Sequence, residues 1–279
     1  MRLNTVAALA SEARRKLHDV GSATPALDAR LLLQAATGFT HADLVAEPER
    51  EVSGATLDQF NAFIIRRLAH EPVSRILGKR EFFGREFRVT PEVLDPRADT
   101  ECVVQLALRL APHGRFIDLG TGSGAIAITL CAENENLSGL ATDISLTALR
   151  VAEINAKALG VTSRLQFHQG AWLAGVNEKF DLIISNPPYI KTNAILSPDV
   201  QHYDPHIALF AGPDGLAAYR EIVQQIRNHR TENALVIVEI GHDQAAAVTE
   251  IFASNGFRNI DKAIDIAGFI RGLAFRPVT

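Results

Sequence analysis

Five short apolar segments, at 115–119, 139–142, 164–168, 180–185 and 234–240, alternate with stretches of helical periodicity at about 124–133, 145–159, 215–230 and 243–255. A strand that is followed by a helix before the next strand returns to the same end of the sheet, so this order dictates parallel pairing with helices on both faces. Two further apolar segments, at 264–266 and 273–275, add strands near the end of the chain. The expected fold class is α/β: a doubly wound, mostly parallel seven-stranded sheet.

Before the alternation begins, the pattern is helical up to about residue 70. Thr24-Pro25 places a capping residue before proline at a first helical position, and Leu27, Leu31, Leu32 and Ala35 then recur at helical spacing until Gly38. Ser53 is positioned to cap a longer helix carrying Leu57, Phe60, Ile64, Ile65 and Leu68. Between 82 and 89 apolar and charged residues alternate around Gly84, which predicts a hairpin, and the proline-marked stretch 91–96 reads as a hinge. The expected organisation is a helical domain at 1–71, a connecting β-hairpin at 72–90 and the α/β domain at 91–279. One connection, 187–214, runs for 28 residues with five prolines and no periodicity. Loops of that length inside compact domains tend to serve a site.

Composition narrows the function classes. With 28 Lys+Arg against 32 Asp+Glu the formal net charge is −4, so overall charge does not draw the chain to nucleic acid or anionic membrane. Arg75, Lys79, Arg80, Arg85 and Arg88 cluster locally, with Glu81 and Glu86 opposing them, and read as a solvated face. Cys102 and Cys131 are too few for a disulfide framework or a cysteine-rich zinc site and read as inert thiols in helices of a reducing compartment. His202, Asp204 and His206 stand two apart but on no evident helix or strand, so a solvated loop is expected and no metal. The apolar stretch near the amino terminus is too short for a signal peptide, and no apolar run approaches the roughly 18 residues of a membrane span. A cytoplasmic, monomeric protein without stable nucleic-acid or membrane binding is expected.

The chemistry concentrates at two strand ends. Asp118-Leu119-Gly120-Thr121-Gly122-Ser123-Gly124-Ala125 follows the first strand and opens a helix. Its glycines let backbone approach a ligand closely, and the N–H groups at the helix start are free to face it. Asp143, 19 residues after Gly124 at the end of the second strand, is placed to accept hydrogen bonds from both hydroxyls of a ribose. The loop carries no phosphate-binding lysine, so a nucleoside cofactor fits better than a hydrolysed triphosphate; by itself the pattern also fits a dinucleotide.

Asn186-Pro187-Pro188-Tyr189 ends the strand at 180–185. An amide or ring-amine nitrogen is a poor nucleophile because its lone pair is delocalised. The side-chain oxygen of Asn186 and the carbonyl of Pro187 can accept the two N–H bonds of such an NH₂ group and leave its lone pair aimed at a methyl donor. Prolines stiffen the corner, and Tyr189 can stack on a flat substrate.

Together, Asp118 to Gly124, Asp143 and Asn186-Pro187-Pro188-Tyr189 resemble class I S-adenosylmethionine-dependent methyltransferases that act on planar nitrogens. Glu71-Pro72-Val73, Ile76-Leu77-Gly78, Phe82-Phe83-Gly84, Pro96-Arg97, Asp99-Thr100-Glu101, Asp204-Pro205, Glu239-Ile240-Gly241 and Asp265 to Arg271 extend the likeness along nearly the whole chain. They resemble the protein-(glutamine-N5) methyltransferases that modify peptide chain release factors. The resemblance implies S-adenosyl-L-methionine as donor, S-adenosyl-L-homocysteine as product, and the glutamine of a release factor's Gly-Gly-Gln loop as acceptor. It implies that Asp118, Gly120, Thr121, Gly122, Ser123, Gly124, Asp143, Trp172 and Asn186 hold the cofactor. Asn186, Pro187, Pro188 and Tyr189 would bind the glutamine, with Asn186, Pro187 and Tyr189 at the chemistry. Ala171 departs from the family, which often has an acidic residue there. Competing readings are methylation of a ribosomal-protein glutamine or of an exocyclic base amine, and an inactive scaffold that docks on a translation factor.

Overall fold

The computed structural model describes residues 4–111 and 113–278. The chain forms two compact units, Met1–Gly78 with Ser197–Tyr203, and Lys79–Leu196 with Asp204–Thr279.

The first unit holds α1 (Val6–Asp19), α2 (Pro25–Thr37), α3 (His41–Ala46), α4 (Gly54–Leu68) and α5 (Val73–Leu77). Leu17, Leu32, Leu33, Phe60 and Ile64 are buried together at its centre, each contributing roughly 1.5–3 kcal/mol from leaving water. The helical period is as the sequence implies, but the buried face is turned: Leu27 and Ile65 are exposed, and Asp28 is buried instead. Asp28 is tolerated there because Ser22, Thr24 and Arg67 all donate to its carboxylate, Arg67 Nε at 2.8 Å. Thr24 therefore uses its hydroxyl on Asp28 and makes no side-chain cap of α2, and Ser53 makes none of α4. Residues 73–77, expected within the hairpin segment, are helical, and Arg75 is buried rather than solvated.

In the second unit a hairpin of β1 (Lys79–Phe82) and β2 (Arg85–Arg88) precedes α6 (Asp99–Leu110). Two of its positive charges are closely matched: Lys79 meets Glu86 at 2.7 Å and Arg85 meets Glu133 at 2.6 Å. There follow β3 (Gly114–Leu119), α7 (Ala125–Glu133), β4 (Leu137–Asp143), α8 (Leu146–Ala158), β5 (Leu165–Gln169) and β6 (Phe180–Ser185). The long connection then carries α9 (Pro198–Tyr203) and a short 3-10 turn at His206–Ala208, neither of which its sequence periodicity announces. After it come α10 (Ala217–His229), β7 (Arg230–Glu239), α11 (Ala245–Ala253), β8 (Phe257–Ile264) and β9 (Ile270–Pro277). β8 lies ahead of the segment 264–266 expected from sequence. Its alternate residues are largely exposed at the sheet edge, which removes the apolar signal.

The seven strands pair in the order β5-β4-β3-β6-β7-β9-β8, parallel through β7, with β9 antiparallel to both its neighbours. Successive residues of each central strand enter opposite cores. Phe116, Leu182, Ile184, Leu235 and Ile237 pack with α6 and α7 on one face. Ile117, Ile183, Val236 and Val238 pack with α10 and α11 on the other. The strand order reverses at β3, between β4 and β6, which is where open sheets of this kind form their ligand crevice. Among the described residues no helix is long and apolar enough to cross a membrane.

Candidate active site

Strand register assembles the site. Leu119 is partnered with Thr142 on one side and Ser185 on the other, and Ser185 with Val238. The residues that come next, Asp143, Gly120, Asn186 and Glu239, therefore stand in a row along the carboxyl edge of four adjacent strands.

The glycine loop is held by its backbone. Gly120 and Thr121 both donate their N–H groups to the carbonyl of Thr142, at 2.8 and 2.9 Å, and Gly124 donates to Thr121 at 2.8 Å. Gly120, Gly122 and Gly124 have φ of 72°, 56° and 82°, a region that side chains disfavour. Beneath the loop, Asp118 is 1% exposed and accepts a 2.6 Å bond from the Thr121 hydroxyl through Oδ2. Burial pushes its carboxyl up to about 7, against the pull of that bond. Its Oδ1 has no partner among the described residues. Ser123 is buried too, and its carbonyl accepts from Asn155 Nδ2 at 2.8 Å.

Asp143 reaches across from β4. Its Oδ2 accepts from Gly122 N–H at 2.9 Å and its Oδ1 from Ser145 N–H at 2.8 Å. Each oxygen retains a second lone pair, so the carboxylate can still accept two hydroxyls. Burial raises its pKa, the backbone donors opposing this.

A cavity of about 240 Å³ opens between these loops, lined among others by Gly120, Gly122, Asp143, Trp172, Asn186 and Pro188. A smaller recess of about 50 Å³, lined by Phe82, Pro96, Thr100 and Thr121, shares Gly120, Gly122 and Asn186 with it. A Cβ placed on Gly122 meets nothing within 4 Å, so this backbone is bare toward the space in front of it. Bare peptide, an acceptor-rich carboxylate and an indole make a lining suited to a nucleoside. Trp172 sits at φ 56° with its carbonyl bound by the Thr142 hydroxyl at 2.9 Å, and its indole N–H donates to Glu221 at 2.8 Å. Glu221 also lines the cavity and brings an acidic side chain from α10 to its wall.

Asn186 lines both recesses. Its Nδ2 donates to Thr100 Oγ1 at 3.3 Å, and Glu239 stands beside it at the end of the neighbouring strand. Pro187 is buried, and Pro188 faces the larger cavity. The Tyr189 ring packs against the core on the α10 side and lines neither recess. Its carbonyl is held by Gln244 Nε2 at 3.0 Å. Burial raises the Tyr189 pKa, so its hydroxyl stays neutral.

Asp204, expected in a solvated loop, is 6% exposed and paired with Arg97 of the hinge at 2.5 Å, because the long connection folds back onto the unit rather than into solvent. Among the described residues no cluster of histidine, cysteine and carboxylate side chains is placed to hold a metal. Sequence reasoning gave Thr100 and Glu239 no site role, quoting them only within segments that resemble the family, and it did not single out Glu221. For Glu239 one signal existed: a glutamate that ends a fully apolar run at 234–238.

The PrmC N-terminal domain family matches residues 8–78, and the methyltransferase small domain family matches residues 99–202. A release factor glutamine methyltransferase of Agrobacterium fabrum is 43% identical over 98% of this chain and 97% of its own length. Another from Caulobacter vibrioides is 40% identical over 91% of this chain and 90% of its own. Among solved structures, a ribosomal protein L11 methylase from Lactobacillus delbrueckii subsp. bulgaricus has a TM-score of 0.51 at 24% identity, covering 72% of this chain and 89% of that one. That likeness is one of fold. The sequence relatives carry more, since the match extends over nine-tenths or more of both chains at 40% identity or above: the chain belongs to the family of release factor glutamine methyltransferases.

Proposed function

We propose that the protein transfers a methyl group from S-adenosyl-L-methionine to the side-chain amide nitrogen of the glutamine in a release factor's Gly-Gly-Gln loop. When bound, the cofactor supplies an activated methyl on a sulfonium. Asp143 would hold its ribose, the backbone of Gly120 and Gly122 its chain, and Trp172 one wall of its base. Asp118, Thr121, Ser123 and Gly124 keep the loop in the shape that leaves this backbone bare.

On the substrate side, Asn186 Oδ1 and the Pro187 carbonyl accept the two N–H bonds of the glutamine amide. That holds the NH₂ group in place with its lone pair forward, and orientation of this kind lowers the barrier to displacement. The nitrogen–carbon bond forms as the carbon–sulfur bond breaks, and the proton then leaves a cationic nitrogen, so no strong base is needed. A neutral, half-buried Tyr189 agrees with this and acts by packing behind the corner. The helical unit at the amino terminus is proposed to recognise the release factor.

The observation that carries this reading is the position of Asn186, an amide on the wall shared by both recesses and adjacent to Gly120. Its test is incubation with methyl-labelled S-adenosylmethionine, purified release factor, and the same factor with Gln→Ala in its Gly-Gly-Gln loop. Label enters the first and not the second; equal labelling of both refutes the assignment. Asn186→Ala lowers turnover about 10²-fold or more, as expected for loss of one preorganised polar contact.

A further inference from the structure

A carboxamide has two ends of similar shape and opposite chemistry: the oxygen accepts and the NH₂ donates. Which end of Asn186 faces the cavity decides whether the corner can receive the N–H groups of another amide. With the NH₂ outward, donors would meet donors.

Glu239 stands behind that choice. The pairing of Ser185 with Val238 puts it one strand over from Asn186 at the same height. It is 1% exposed, with the polar groups of Thr100 and Asn186 beside its carboxylate opposing the rise that burial causes in its pKa, while its Oε2 has no partner among the described residues. Arg271, whose charge bears on it, hydrogen-bonds Asp265 at 2.7 Å and ion-pairs with Asp99 at 2.9 Å. Glu239 is therefore not explained as half of a buried ion pair.

Thr100 by itself cannot orient Asn186, because a hydroxyl donates or accepts with equal ease. Above its raised pKa of about 7, Glu239 is ionised and its carboxylate only accepts. With the Thr100 proton drawn to Glu239, Thr100 Oγ1 is left as an acceptor, and the Asn186 NH₂ finds acceptors at both Thr100 and Glu239. The reversed amide would set Oδ1 against carboxylate oxygen and leave buried acceptors unsatisfied.

We propose that Glu239 is a positioning residue: with Thr100 it locks the carboxamide of Asn186 with the NH₂ inward, so that Oδ1 is the end offered to the substrate glutamine. This rests on the function proposed above.

The test compares Glu239→Gln, Thr100→Val and Thr100→Ser with the wild type. Glutamine keeps the size of Glu239 but can donate to Asn186 Oδ1, which removes the bias. Glu239→Gln lowers kcat about 10²-fold while KM for the release factor changes less than about 3-fold, the pattern of a lost transition-state contact. Thr100→Val loses turnover and Thr100→Ser restores it. A second readout needs no activity: the side-chain ¹⁵N–H signals of Asn186, identified by their loss in Asn186→Asp, shift in Glu239→Gln and follow the titration of Glu239 in the wild type. Unchanged kcat in Glu239→Gln, or Asn186 signals indifferent to it, overturns the proposal. If Glu239→Gln does not fold, equal turnover of the two Thr100 variants overturns it. A wild type that leaves release factor unlabelled refutes the substrate, and the Asn186 signals then decide the positioning role alone.

Discussion

Gly122 donates its backbone N–H to Asp143 Oδ2 at 2.9 Å, across the ends of two neighbouring parallel strands. The bond ties the loop after β3 to the loop after β4, so the carboxylate is oriented before any ligand arrives. Because the donor is backbone, any residue but proline could supply it. What makes glycine necessary at 122 is the φ of 56° and the bare surface that it leaves.

The three loop glycines differ in what they tolerate. At Gly124 an added Cβ lies 2.7 Å from Ile128 Cδ1 and 3.1 Å from Ala152 Cβ, at φ 82°. Gly124→Ala should therefore cost stability, about 1–3 kcal/mol from crowding and backbone strain together. At Gly122 there is open space, so Gly122→Ala should carry the backbone strain alone, about 1–2 kcal/mol, cost less than Gly124→Ala in urea unfolding, and act mainly on cofactor affinity. Equal destabilisation by both changes contradicts this reading.

Asp143→Asn keeps the shape but replaces one accepting oxygen with a donor, which then faces either the Gly122 or the Ser145 N–H or the cavity. Affinity for S-adenosylhomocysteine should fall about 10-fold or more, since hydrogen bonds to a charged acceptor are worth about 1.5–3 kcal/mol. Calorimetric titration reads it directly, with wild-type affinity as the outcome that removes Asp143 from the ribose.

Stability should fall as pH rises from 5 to 8. Burial pushes both Asp118 and Glu239 up to about 7. Around Asp118 stand the Thr121 hydroxyl, the Ala127 N–H and the charge of Asp143; around Glu239 stand Thr100, Asn186, Asp99 and Arg271. A carboxyl raised in the folded state holds a proton that the unfolded chain has released. Its contribution is full below the unfolded value and is lost as pH climbs through about 7. For Glu239 this amounts to on the order of 3 kcal/mol. Glu239→Gln should flatten that part of the urea-unfolding profile, and an unchanged slope would count against the raised value.

Cys102 and Cys131 should resist alkylation in the folded enzyme. Burial raises both thiols to about 11, so little thiolate exists at neutral pH. Cys102 additionally donates to the Asp99 carbonyl at 2.9 Å. Iodoacetamide at pH 7.5 should modify them only after denaturant is added; rapid labelling of the native protein would show that one of them is open to solvent.

The alternation of strands and helices, the glycine loop and the Asn186-Pro187-Pro188-Tyr189 corner are all legible in the chain, because each is written in residues that are neighbours or a helical turn apart. Their meaning is local: a glycine permits a turn, a proline stiffens one, an apolar run seeks the interior. Which helix face is buried was less legible. Leu27 and Ile65 look like core residues but are exposed, since the partner helices and the Asp28–Arg67 pair set the rotation. The short helix Pro198–Tyr203 was equally silent, its Tyr203 hydroxyl held by the distant carbonyl of Ala69.

Sequence alone thus determined the class of sheet, the loop that a nucleoside could approach and the amide at the strand end. Only the tertiary structure decided how that amide is turned. Asn186, Thr100 and Glu239 lie far apart along the chain, and strand order and register bring them together. Hydrogen-bond direction depends on the partner a group meets in space. No periodicity or propensity records that partner, and so the glutamate at the end of an apolar strand acquires its role only when the sheet is assembled.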